Sequence, residues 1–161
     1  MNLQKKIESL PPIPMEHYQE SFVSNNRDER MQVKYFFDKE NRHFYAEVSF
    51  AGLAQGPPGH VHGGAVAAVL DEVMGGTAWL NDIPVMTAQL NVSFLAPLRL
   101  DKTVYADSWL EGKDGKKIFI KSKLIGPRGR IYAIAEGIFV QLSKDKLELI
   151  GDLPDGLFKA E

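Results

Sequence analysis

Nine positions after His62, the carboxylate of Asp71 interrupts a run of small aliphatic residues, and His62 itself is followed by two adjacent glycines, Gly63 and Gly64. The whole stretch from Gly56 to Asp71, G-P-P-G-H-V-H-G-G-A-V-A-A-V-L-D, reads as a Pro/Gly-rich loop running directly into an apolar helix. The first amides of a helix lack intrahelical acceptors, and the helix dipole makes that end partly positive. Glycine there lets a ligand oxygen come close to the backbone. Such an end can hold a developing oxyanion, and a carboxylate two turns further along can act as nucleophile or base. These groups suit attack on a carbonyl carbon.

Each residue also has a structural reading. An unpaired ionised carboxylate in an apolar helix costs several kcal/mol, roughly, so Asp71 could instead pair with an arginine or cap a backbone group. Glu72 stands about 100° further round the helix, cannot share the face of Asp71, and reads as a structural pair or interface residue. A histidine before a helix can simply bond local backbone, although a neutral imidazole can also donate one N–H toward a substrate oxygen. His60 and His62 form an H-x-H pair, but a zinc site would need at least one more ligand from a distant segment. His17 and His43 show no helpful spacing. Met74, Trp79, Leu80 and Met86 are core residues by default.

The elements that must position these groups follow from pattern. The 161 residues suit one domain, and 44% hydrophobic with 25% charged residues is ordinary for a soluble globular chain. Net charge is −2 with the cations spread along the chain, which argues against generic nucleic-acid binding. The absence of cysteine excludes disulfides, a catalytic thiol and thiolate metal sites. The N-terminus lacks the apolar core of a signal peptide. The most apolar run, 65–80, contains two carboxylates and falls short of the roughly 20 residues of a bilayer span. The expectation is a cytoplasmic protein.

Residues 1–30 read as a helical extension, with helices over Leu3–Leu10 and Met15–Val23. Strands are expected over Met31–Phe37 and Arg42–Phe50, joined by a hairpin at 38–41. Gly63–Leu80 is the long helix, weakened by Gly75-Gly76 and stopped by Pro84. Next comes the alternating segment Met86–Leu95, in which Met86, Ala88, Leu90, Val92 and Phe94 oppose Thr87, Gln89, Asn91 and Ser93. Strands over Thr103–Leu110, Lys117–Ile125 and Ile131–Leu142 complete a domain spanning 31–142, and the tail 143–161 is expected to pack loosely. The order predicts an α+β fold, an antiparallel sheet wrapped around one central helix.

H62-G63-G64 at the start of a buried helix, Asp71 nine positions on, and V85-M86-T87-A88-Q89-L90-N91-V92 in the next strand resemble hotdog-fold acyl-CoA thioesterases. The likeness is to the subgroup related to phenylacetic-acid-pathway thioesterases and mammalian thioesterase superfamily members, over roughly 31–142. The resemblance implies that Gly63 N–H and His62 polarise a thioester carbonyl, that Asp71 is nucleophile or general base, and that Thr87 holds the lytic water. It implies that Asp71 and Thr87 face His62 and Gly63 of a partner subunit, in a homodimer or a dimer-of-dimers tetramer. Acyl-CoA would be the small-molecule partner, with no cofactor beyond the coenzyme A of the substrate. Gly64, Gln55, His60, Arg128 and Arg130 complete the expected substrate-binding set, the two arginines for the coenzyme A phosphates. Many relatives carry an asparagine about six residues before the H-G-G histidine, where this chain has Gly56, and Gln55 is the adjacent substitute. Two other activities suit such a fold: a non-catalytic acyl-CoA sensor, and an enoyl or β-hydroxyacyl thioester hydratase using His62 and Asp71 as an acid–base pair.

Overall fold

A computed structural model of the chain describes residues 2–14, 21–25 and 30–151. The elements are α1 (Leu3–Glu8), β1 (Met31–Asp38), β2 (His43–Phe50), α2 (Gly63–Leu80), β3 (Val85–Phe94), β4 (Thr103–Asp114), β5 (Lys117–Ile125), β6 (Ile131–Gln141) and α3 (Lys144–Ile150). The six strands form one sheet in the order β1-β2-β4-β5-β6-β3, and every neighbouring pair is antiparallel. This is the hotdog arrangement: α2 lies against the inner face of the sheet, where Val66, Leu70, Val73 and Met74 join Phe44, Phe50, Ile120 and Phe139 in one buried core.

Helix α2 spans the residues its composition predicts. Its glycines are a condition of packing: a Cβ at Gly76 would lie 2.4 Å from Phe44 Cε1, so the helix meets β2 there too closely for any side chain. Beyond Leu80, Asp82 takes φ 62 and Pro84 bars continuation. The early turns are less enclosed than an all-apolar sequence suggests, since Ala65, Ala67 and Ala68 are only half-buried.

On the outer face, α1 is shorter than expected. It places Ile7 against Phe36, Tyr45 and Tyr105, and Lys6 reaches the Asp38 carboxylate at 2.9 Å. The helix expected over Met15–Val23 lies outside the described residues except at its end, where 22–24 form a turn. Helix α3 buries none of its residues, and the tail beyond 151 lies outside the described residues.

Strand β3 departs from simple alternation. Thr87 pairs with Phe139 but Gln89 pairs with Ile138, so Ala88 is an extra residue, a β-bulge. Directly opposed residues point to the same side of a sheet. Thr87 therefore shares the inner face with Phe139, Leu90 and Val92, while Gln89, Asn91 and Ser93 face outward. The expected grouping of Thr87 with Gln89, Asn91 and Ser93 is thus corrected. So is the expectation that Met86 is core: it pairs with Val140 on the outer side of the bulge and is 59% exposed. The two sheet edges also differ. Ile13 N–H donates to Tyr35 O (2.8 Å) along β1, with Pro12 bridging Phe36, whereas β3 has no second neighbour among the described residues.

Candidate active site

The loop before α2 is built around His62. Gln55 Oε1 accepts from Gly59 N–H (2.8 Å), Gly56 N–H donates to His60 O (3.0 Å), and His62 N–H donates to Ala54 O (2.7 Å). Gly59 needs its glycine because φ is +75°. Gly56 needs one for space, since a Cβ there would stand 2.9 Å from His62 Cα. An asparagine at position 56 has no room in this loop, and Gln55 spends its carbonyl on the loop itself.

His62 is the N-cap of α2, and its Nδ1 accepts from Gly64 N–H at 2.8 Å. An acceptor Nδ1 on a neutral ring puts the proton on Nε2, so the exposed imidazole offers an N–H outward. A Cβ at Gly64 would press within 2.9 Å of that Nδ1, so the second glycine serves the cap and its amide is taken. Gly63 N–H, at the first helical position, has no intrahelical acceptor and meets none among the described residues. His60 Nδ1 lies 3.0 Å from Pro58 O; because a carbonyl only accepts, this ring carries its proton on Nδ1.

Beside Gly63 opens a cleft of about 610 Å³, largely apolar, lined among others by Val61, Val66, Phe94, Leu98 and Tyr132. The Phe94 ring lies over the helix end, 3.3 Å from where a Gly63 Cβ would be, and is 56% exposed. Pattern marked Gly63 but neither Phe94 nor Tyr132, because an apolar strand residue carries no chemical signature until the fold sets it beside a polar group.

Asp71 lies further along the same helix. Thr87 Oγ1 donates to Asp71 Oδ1 at 2.8 Å, a contact made by the bulge that turns Thr87 inward. No arginine or lysine pairs with Asp71 among the described residues. Glu72 points elsewhere: Tyr35 Oη and Ser21 Oγ donate to its Oε1 at 3.2 and 3.3 Å. Burial pushes the Glu72 carboxyl above its ordinary range despite those bonds.

Within one chain the two halves do not meet. Eight residues of α-helix separate Asp71 from Gly63, an advance of about 12 Å, so the Asp71 carboxylate stands two turns away from the helix end at which the Gly63 amide lies open. The two arginines separate as well. Arg130 lies over the Tyr132 ring at 5.4 Å, beside the Gly63 cleft, while Arg128 lines a different cleft on the outer face.

The thioesterase superfamily model matches residues 58–125. That stretch, from the loop before α2 to the end of β5, resembles a thioesterase-superfamily domain. The chain is 27% identical over 155 residues to the acyl-coenzyme A thioesterase THEM4 of Rattus norvegicus, covering 84% of this chain and 67% of that one. A solved thioesterase superfamily protein is 26% identical, with TM-score 0.66, over 86% of this chain and 72% of that one. A hypothetical thioesterase of Streptococcus pneumoniae, solved with coenzyme A, shares the fold with TM-score 0.66 at 14% identity, over 76% and 93% of the two chains. The chain spans between 38% and 67% of the length of the curated relatives it matches. No helix among the described residues is long and apolar enough to cross a membrane.

Proposed function

We propose that the protein hydrolyses acyl-CoA thioesters in active sites shared between two copies of the chain. The observation that carries this reading is the Thr87–Asp71 hydrogen bond, set apart on the helix from an open Gly63 amide and an outward His62 Nε2–H. A carboxylate held by a hydroxyl and two donors aimed outward are complementary halves, and neither half can reach the other in cis. The bare edge of β3 supplies the join. Two β3 strands paired antiparallel about Leu90 and Asn91 set Thr87 of one copy opposite Phe94 of the other, and Phe94 covers Gly63. Exposed Met86 and Phe94, together with Ile134 on β6, are the apolar surface such pairing would bury.

In each site Gly63 N–H and His62 Nε2–H bind the thioester oxygen of a substrate on one copy. Asp71 of the other copy takes a proton from a water held with Thr87, and the hydroxide adds to the carbonyl carbon. The tetrahedral oxyanion collapses, the C–S bond breaks, and coenzyme A leaves as thiolate. Direct attack by Asp71, giving a mixed anhydride that water then opens, uses the same geometry. The names of the curated relatives and the coenzyme A complex of a fold neighbour support acyl-CoA as the substrate class. Arg130, beside the cleft, is positioned to meet its phosphates.

The test is free-thiol release from short-chain, long-chain and aromatic acyl-CoAs, with Asp71→Asn alongside. The expected result is turnover that falls by about a hundredfold or more in the variant while the fold is kept. Acyl-CoA binding without turnover would make the domain a sensor, and loss of enoyl absorbance without thiol release would make it a hydratase.

A further inference from the structure

Two clefts flank the turn between β5 and β6. One is the cleft at Gly63, which Tyr132 lines from the α2 side. The other, about 420 Å³, is lined by Gln4, Tyr105, Lys123, Ile125, Arg128 and Ile131. It lies on the opposite face: Tyr105 opposes Ile125 and Ile125 opposes Ile131, so these three point one way, and Tyr105 is packed with Ile7 of α1. The turn carries Arg128 into this outer cleft and leaves Arg130 over Tyr132 at the inner one. Two residues apart, their Cα atoms are separated by no more than about 7 Å, a span one ligand can bridge. Arg128 makes no hydrogen bond, ion pair or ring contact among the described residues.

We propose that the outer cleft under α1 receives the nucleotide end of the substrate, whose diphosphate crosses the turn between Arg130 and Arg128. This rests on acyl-CoA being the substrate. The chemistry of the walls sets the orientation. Lys123 is already drawn to Asp107 (3.6 Å) and sits over Trp109, so Arg128 is the cation free to meet phosphate. Deeper in, Glu47 and Glu8 add to burial in pushing the Tyr105 phenol up, which makes that wall unsuited to phosphate and leaves a neutral hydroxyl. Tyr105, Ile125 and Ile131 offer apolar surface to a flat base. Gln4 Nε2 donates to Glu8 (3.0 Å), leaving the Gln4 carbonyl oxygen to accept from an exocyclic amino group.

The test offers the best acyl group from the thiol-release panel in two forms, as the CoA thioester and as the pantetheine thioester lacking the nucleotide. The readout is the ratio of the two kcat/KM values in wild type, Arg128→Ala and the cleft-filling Gln4→Trp. The expected result is a preference for the CoA form that falls about tenfold in each variant, together with loss of adenosine 3′,5′-bisphosphate binding by calorimetry. An unchanged ratio in both variants would overturn the proposal while leaving thioester hydrolysis intact. Absence of thiol release from either thioester would instead refute the activity, and the bisphosphate titration would then decide the cleft alone: binding lost in Arg128→Ala supports it, and binding absent or unchanged sinks it.

Discussion

Mixing two inactive variants tests the shared site directly. His62→Ala removes the outward imidazole N–H, and Asp71→Asn removes the proposed base or nucleophile. Each change alone is expected to lower kcat by about a hundredfold or more. A half-turn and roughly 13 Å separate these positions within one chain, and in the proposed shared site residue 62 comes from one copy and residue 71 from the other. A mixed dimer therefore has one site with both lesions and one with neither. If the variants are co-expressed with different tags and doubly tagged dimers are isolated, free-thiol release should return to about half the wild-type rate per dimer. The single-variant dimers stay near background. A mixed dimer as inactive as its parents would refute the shared site, because a site contained within one chain leaves every copy with one lesion.

Three further expectations follow from packing and protonation. Removing the hydroxyl with Thr87→Val should lower kcat about ten- to hundredfold, the worth of a hydrogen bond to a charged group, while Thr87→Ser keeps most of the rate; equal rates in both variants would separate Thr87 from the chemistry. Gly76→Ala places a methyl 2.4 Å from Phe44 Cε1, and Phe44 is 1% exposed. Overpacking of about 1–3 kcal/mol should outweigh the roughly 0.5–1 kcal/mol that alanine returns in helix propensity, lowering the urea midpoint without changing its slope. Glu72 has a carboxyl raised by burial, so the folded state favours its protonated form. Its stabilising effect is complete below the unfolded value of about 4.3 and is lost as pH rises through the raised folded value. Glu72→Gln should therefore raise Tm at pH 7 and flatten its decline with pH; a Tm profile parallel to wild type would show that Glu72 does not titrate in this range.

The long helix was legible because its signals are local: small apolar residues between a Gly-Gly start and a Pro84 stop. The H-G-G junction and Asp71 were legible because glycine and carboxylate are unusual in such a run. The partner of Asp71 was placed on the wrong face, because alternation assumes an uninterrupted period of two, and nothing about Ala88 as a residue type announces a bulge. Met86 was misplaced for the same reason. Gly56 read as a departure from a pattern, yet its neighbour is His62 itself, a contact that exists only after the loop closes. The packing of α1 on Tyr45 and Tyr105 was hidden by the mixed outward faces of β2 and β4, where aromatic and charged residues alternate in no obvious stripe.

The bulge at Ala88 also makes the strand separable into two parts. Residues from Gln89 to Phe94 keep their own pairing with β6, so the cleft end and the open edge of the strand are specified independently of Thr87. Removing the residue at 88 would leave Thr87 opposite Phe139 and Gln89 opposite Ile138 in unbroken alternation, whereas keeping it without a bulge would turn Thr87 to the solvent side and Met86 toward α2. The bulge thus absorbs the odd residue that would otherwise turn the upstream end of the strand over. One residue more or less at this point changes the strand's length without changing which side chains it gives to the core and which to the solvent.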